Sequence, residues 1–142
     1  MSVTFDTNIL VYATNRADPA HGKAKELVDR LASGPEIVYA FWPVLLGYVR
    51  IVTNPGILPG PRTPVEAIRN VGDLLARPHV RSPGEAEGFL EIYRPMGQRA
   101  RGNQVPDAHL AALMRQHGVG VIYSRDKGFR RFEGIEVRDP LS

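Results

Sequence analysis

A chain of 142 residues with 43% apolar composition is the length of one ordinary domain and can bury a core without covalent staples. It contains no cysteine, which excludes disulfides, thiolate metal sites and cysteine nucleophiles and fits a reducing compartment. The formal net charge is only +3, no basic region leads into an apolar run at the start, and nowhere do about 18 apolar residues run together. The expectation is a single cytoplasmic domain over residues 1–142, without a signal peptide or a membrane span.

Taken in chain order, residues 3–6 read as a first strand that leads directly into an apolar helix. Asp18-Pro19 then announces a helix in which Ala24, Leu27, Val28 and Leu31 repeat at helical spacing, and Gly34-Pro35 stops it. Residues 37–40 predict a second strand and residues 43–53 a helix, followed by the turn-rich stretches at Asn54-Pro55-Gly56 and Leu58-Pro59-Gly60-Pro61. Two capping boxes with proline at the first helical position come next. Thr63-Pro64-Val65-Glu66 predicts a helix burying Val65, Ile68, Val71 and Leu75; Ser82-Pro83-Gly84-Glu85 predicts one burying Ala86, Phe89, Leu90 and Tyr93, with a strand near Val80 between them. A further helix is expected from Pro106 to His117, where Gly118 supplies a left-handed C-terminal residue. Residues 119–123 and 135–137 complete the strands. Strands alternating with helices define the α/β class, with a mainly parallel sheet of four to five strands covered by helices on both sides.

In such sheets ligands bind beyond the carboxyl ends of the strands, so acids placed there carry most weight. Asp6 closes the first strand, Asp126 follows the strand that ends near Tyr123, and Asp107 lies in the first turn of a helix, whose unpaired amide ends favour a negative charge. Singly, each has a local explanation, because aspartate is common in loops and at helix starts. Together, three converging carboxylates repel one another unless a hard divalent cation such as Mg²⁺ or Mn²⁺ neutralises them. Such a site can hydrolyse phosphodiesters. Arg94, Arg99, Arg101, Arg125, Lys127, Arg130 and Arg131 fall in two stretches that could flank one surface and suit a phosphate backbone, or a merely solvated face. His109, two residues from Asp107, points elsewhere on a helix and reads as structural; His21, His79 and His117 lack ligand spacing. Phe41 and Trp42 read as core or dimer surface.

Four ordered segments carry a resemblance across nearly the whole chain: Asp6-Thr7-Asn8-Ile9-Leu10-Val11-Tyr12-Ala13; Trp42 to Leu45 with Arg50 to Pro55; Val105-Pro106-Asp107-Ala108-His109-Leu110; and Ser124-Arg125-Asp126-Lys127-Gly128-Phe129 with Arg138-Asp139-Pro140-Leu141. They resemble the successive signatures of VapC toxins of the PIN-domain family. The resemblance implies a PIN-like α/β/α sandwich and an Mg²⁺- or Mn²⁺-dependent endoribonuclease acting on structured RNA such as transfer or ribosomal RNA. It also implies a homodimer and a VapB-type antitoxin as partner. Asp6, Asp107 and Asp126 match the family's metal ligands; Thr7, Asn8 and Arg50 match supporting positions, and at the first two a hydroxyl and an amide can hold the first carboxylate or a metal-bound water.

Two positions depart from the pattern. Gly47 stands where the family places a glutamate, in the helix before Arg50, and glycine inside a helix costs about 1 kcal/mol relative to alanine. Gly128 stands where many relatives carry a further aspartate. Losing two carboxylates of five weakens metal affinity, so the expectation is a weakened or inactive nuclease. The alternatives are a catalytically silent PIN-fold module that binds antitoxin or RNA, and an aspartyl-phosphate phosphatase with Asp6 as nucleophile. The latter would want a second acid where Asn8 stands.

Overall fold

The computed structural model describes residues 2–141. Five strands, β1 (Ser2–Phe5), β2 (Ile37–Tyr39), β3 (Val80–Arg81), β4 (Val121–Tyr123) and β5 (Glu136–Arg138), form one sheet in the order β3-β2-β1-β4-β5. Every pairing is parallel, and parallel neighbours need crossovers, which the helices provide. These are α1 (Thr7–Thr14), α2 (His21–Ser33), α3 (Trp42–Val52), α4 (Pro64–Leu75), α5 (Phe89–Gly97) and α6 (Gln104–Gln116). Helix α1 packs on α2 and α3, and α5 on α6. Because β1 is central, β1 and β4 are buried throughout apart from the half-buried Ser2, and α6 buries an unbroken run from Leu110 to Met114.

The chain builds outward from β1 in one direction through β2 and β3, then returns to lay β4 on the other side of β1. The strand order therefore reverses between β1 and β4, and at that switch point the carboxyl ends of the two strands open a crevice. The register aligns Phe5 with Tyr123, and the Asp6 amide donates to the Tyr123 carbonyl at 3.2 Å, which sets Asp6 level with Ser124.

Two expectations fail. Ser82 does not cap a helix: its hydroxyl donates to the Ala40 carbonyl at 2.7 Å and extends the β2–β3 edge, while Glu85 is taken by His109 at 2.6 Å. Helix α5 starts only at Phe89, after Gly88 turns the chain at φ 81°, and Ala86 and Leu90 are exposed. Helix α4 does begin at the complete capping box of Thr63 and Glu66. It turns Ala67 into the core, with Val71, Leu74 and Leu75 packed beside it, and leaves Val65 and Ile68 exposed at 64% and 61%. The buried stripe is thus rotated from the one expected. Helix α6 opens two residues early, which keeps Asp107 in its first turn and places Pro106 where an amide would have no partner. Gly118 ends it at φ 72°, as the sequence requires.

Candidate active site

Asp6 is the N-cap of α1, and its Oδ1 accepts the Asn8 amide at 3.1 Å. Its other oxygen accepts a hydrogen bond from the Ser124 hydroxyl. Ser124 is fully buried at the end of β4, and its oxygen also accepts the Asp126 amide at 2.8 Å. One side chain thus ties the first acid to the loop that carries the third. Asp126 in turn caps the 3-10 helix Lys127–Arg131, its Oδ1 accepting the Gly128 amide at 2.8 Å, and Phe129 anchors that helix in the core. Asp107 approaches from α6, with Arg131 Nη2 3.9 Å from its Oδ2.

The three carboxylates feel one another. Burial, then the charge of Asp126, push the Asp107 carboxyl up to about 6, while Arg131 pulls the other way. Asp6 is also raised, chiefly by burial; the Ser124 hydroxyl and the Ile9 and Asn8 amides oppose this, and Asp126 adds to it. Three elements distant in sequence therefore deliver their acids to one crevice. Among the described residues no group of three or more His, Asp or Glu side chains is placed so that it could hold a metal ion as it stands. The donors are nonetheless all carboxylate oxygens whose charges oppose one another, and that set fits a hard divalent cation.

The Thr7 hydroxyl donates to the Val44 carbonyl at 3.2 Å, and Asn8 serves Asp6 through its backbone amide. Arg50 is exposed in the last turn of α3, and among the described residues no hydrogen bond or ion pair joins it to the aspartates. Gly47 packs against Thr7. A Cβ there would lie 3.0 Å from Thr7 Oγ1 and 3.4 Å from Thr7 Cγ2, so α1 approaches α3 closely at the glycine, one residue from Asp6. Asp29 and Glu91 pair with Lys25 at 2.8 Å and Arg94 at 3.3 Å on their own helices. The histidines hold structure. His21, His79 and His117 bond the carbonyls of Tyr12, Leu31 and Gly84, and His109 joins Glu85 and the edge of Phe89. Phe41 is core and Trp42 is 42% exposed.

Sequence reasoning missed Ser124 and the reach of Arg131. The signal for Ser124 was a polar residue closing an otherwise apolar buried strand, level with Asp6.

Fold and site together define a parallel α/β domain with an acidic centre at its switch point. The PIN domain family model matches residues 3–135. The chain is 54% identical to Ribonuclease VapC48 of Mycobacterium tuberculosis over 100% of this chain and 99% of that protein. Among solved structures, VapC20 of Mycobacterium tuberculosis, described as a Sarcin-Ricin loop cleaving toxin, superposes with a TM-score of 0.69 at 25% identity, covering 96% of this chain and 99% of that one. VapBC2 from Rickettsia felis, bound to a promoter DNA fragment, shares the fold with a TM-score of 0.68 at 15% identity, covering 97% and 98%. The chain belongs to the PIN-domain family, in its VapC branch. Among the described residues no helix is long and apolar enough to cross a membrane.

Proposed function

We propose that this protein is the toxin of a VapBC-type toxin–antitoxin pair, a cytoplasmic Mg²⁺- or Mn²⁺-dependent endoribonuclease that cuts phosphodiester bonds in structured RNA, transfer or ribosomal, at reduced rate because Gly47 replaces an acid. The observation that carries the reading is the convergence of Asp6, Asp107 and Asp126 at the β1–β4 crevice, where burial and the charge of Asp126 raise the carboxyls of Asp6 and Asp107. Family membership and relatives named as ribonucleases support it. These three aspartates would hold the ion through carboxylate oxygens. When bound, such an ion supplies a more acidic water and neutralises charge on the phosphoryl oxygens. Ser124 keeps Asp6 and the Asp126 loop in fixed relation, and the basic side chains around the crevice hold the RNA backbone. A VapB-type antitoxin is the expected partner on the strength of the family. A homodimer is supported by Trp42 and Leu46, 42% and 60% exposed one turn apart on α3.

Cleavage of transfer and ribosomal RNA by the purified protein in Mn²⁺, Mg²⁺ and EDTA tests the reading: turnover should need the ion and vanish in Asp6→Asn. Unimpaired cutting by Asp6→Asn would sink the assignment. The second reading, a silent module that binds antitoxin or RNA, is favoured by Thr7 closing over Gly47. Ion-dependent turnover lost in Asp6→Asn excludes it.

A further inference from the structure

Arg131 belongs to two places at once. It approaches Asp107 on one side, while on the other it lines a cleft of about 510 Å³ together with Arg99, from the segment after α5, and Arg115, from α6. Its Nη1 donates to the Gly128 carbonyl at 2.8 Å and its guanidinium lies 4.4 Å from the centre of the Phe132 ring, so it is held along the 3-10 helix and not free in solvent. The cleft carries three arginines against the single carboxylate of Glu133, whose backbone carbonyl accepts from Arg115 at 2.5 Å. The basic stretches noted in the sequence thus divide. Arg99 and Arg131 meet in the cleft, joined by Arg115, whereas Arg94 pairs with Glu91 and Arg125 lies over the Tyr12 ring.

Gly128 explains why Arg131 can be there. A Cβ on residue 128 would lie 2.9 Å from Arg131 Nη1 and 2.8 Å from Asp126 Oδ1. Any side chain at 128 has to move both groups, and both are the ends of flexible side chains, so the backbone need not yield. The glycine that removes an acid from the family pattern also makes room for a guanidinium beside the remaining ones.

We infer that Arg131, Arg99 and Arg115 form a phosphate-holding cleft that adjoins the carboxylates, and that Gly128 is what admits Arg131 to it. The inference rests on the RNA-cleaving reading above and specifies how that site grips its substrate. A guanidinium fork matches phosphate oxygens in a way an ammonium does not, and the cleft's net positive charge suits an RNA backbone running from the crevice across α6. Arg131 lies 3.9 Å from Asp107 and also lines the cleft, so it fixes the register between the bond to be cut and the neighbouring phosphate.

The test is binding, with no metal required. Fluorescently labelled transfer RNA is titrated with the full-length protein in EDTA at several salt concentrations. Arg131→Gln should weaken binding about fivefold to tenfold and reduce the slope of log affinity against log salt by about one. Gly128→Ala, which adds no charge, should produce a similar loss, and the double variant should bind no worse than either single one, because both remove the same contact. Arg77→Gln, between α4 and β3 at the opposite end of the strands, should bind like the parent. Parental affinity and salt slope in Arg131→Gln overturn the inference, as do fully additive losses in the double variant. If Asp6→Asn abolishes cleavage yet Arg131→Gln binds normally, the nuclease reading stands and the cleft falls. If no ion supports cleavage yet binding depends on Arg131 and Gly128, the cleft stands and the nuclease reading falls. A parent protein that binds no RNA overturns both.

Discussion

Replacing Asp107 by asparagine should stabilise the metal-free protein while disabling it. The Asp107 carboxyl titrates near 6 in the fold against an ordinary 3.8, so folding favours its protonated form. For a carboxyl raised in this way, the associated stability is fully present below the unfolded value and is lost as pH rises through the folded one. At pH 7.5 the parent therefore carries an ionised group that the fold resists. Transmitted in full, the displacement is worth about 3 kcal/mol, at roughly 1.4 kcal/mol per pH unit. The side chain is 25% exposed and water screens it from Asp126 and Asp6, so the expected gain is about 1 kcal/mol. For a domain of this size that raises Tm by about 3 °C. Thermal unfolding in EDTA at pH 7.5 and pH 4.5 measures it: the variant should melt higher at pH 7.5, and the difference should shrink towards zero at pH 4.5. Added Mg²⁺ should then stabilise the parent more than the variant, because the ion binds the folded carboxylates. A variant less stable than the parent at pH 7.5 in EDTA, or a gain equal at both pH values, would refute the reasoning.

Ser124→Ala removes the buried hydroxyl between Asp6 and the Asp126 amide, and a lower urea midpoint corresponding to about 1–3 kcal/mol is expected. An unchanged midpoint would mean that the hydroxyl carries no structural role. Phe129→Ala empties the core anchor of the 3-10 helix that follows Asp126, and should cost about 3–5 kcal/mol by chemical denaturation. Mg²⁺ affinity, read by calorimetry, should tighten about eightfold between pH 5 and pH 6.5 as Asp107 loses its proton. A flat profile would separate Asp107 from the ion.

The strands and helices were legible wherever a hydrophobic period ran long enough, as in α2, where Ala24, Leu27 and Leu31 all reach the core. Asp6, Asp107 and Asp126 were legible because position relative to a strand end or helix start is a property of the sequence, and the switch point makes those ends meet. What could not be read depended on competition between distant partners. The Ser82 box was locally sound, but the Ala40 carbonyl at the β2 edge took its hydroxyl. The tilt of α4 follows from where its neighbours lie, so Val65 and Ile68 carried a helical period without being the buried face. Gly47 pointed to a missing ligand, while its other role, room for Thr7, needed α1 and α3 placed side by side. Ser124 and Arg131 act across long sequence separations, the first on Asp6 and the second on Asp107, which no local pattern encodes.

The central claim is that the acidic crevice at the β1–β4 switch point is a nuclease centre weakened at one position. RNA cleavage in Mg²⁺ and Mn²⁺ by three forms side by side tests it most directly: the parent, Gly47→Glu, and Gly47→Glu combined with Asp6→Asn. A slow parent, a faster Gly47→Glu and an inactive double variant are predicted. A double variant that cuts as fast as Gly47→Glu would contradict the claim, because Asp6 would then have no part in the chemistry.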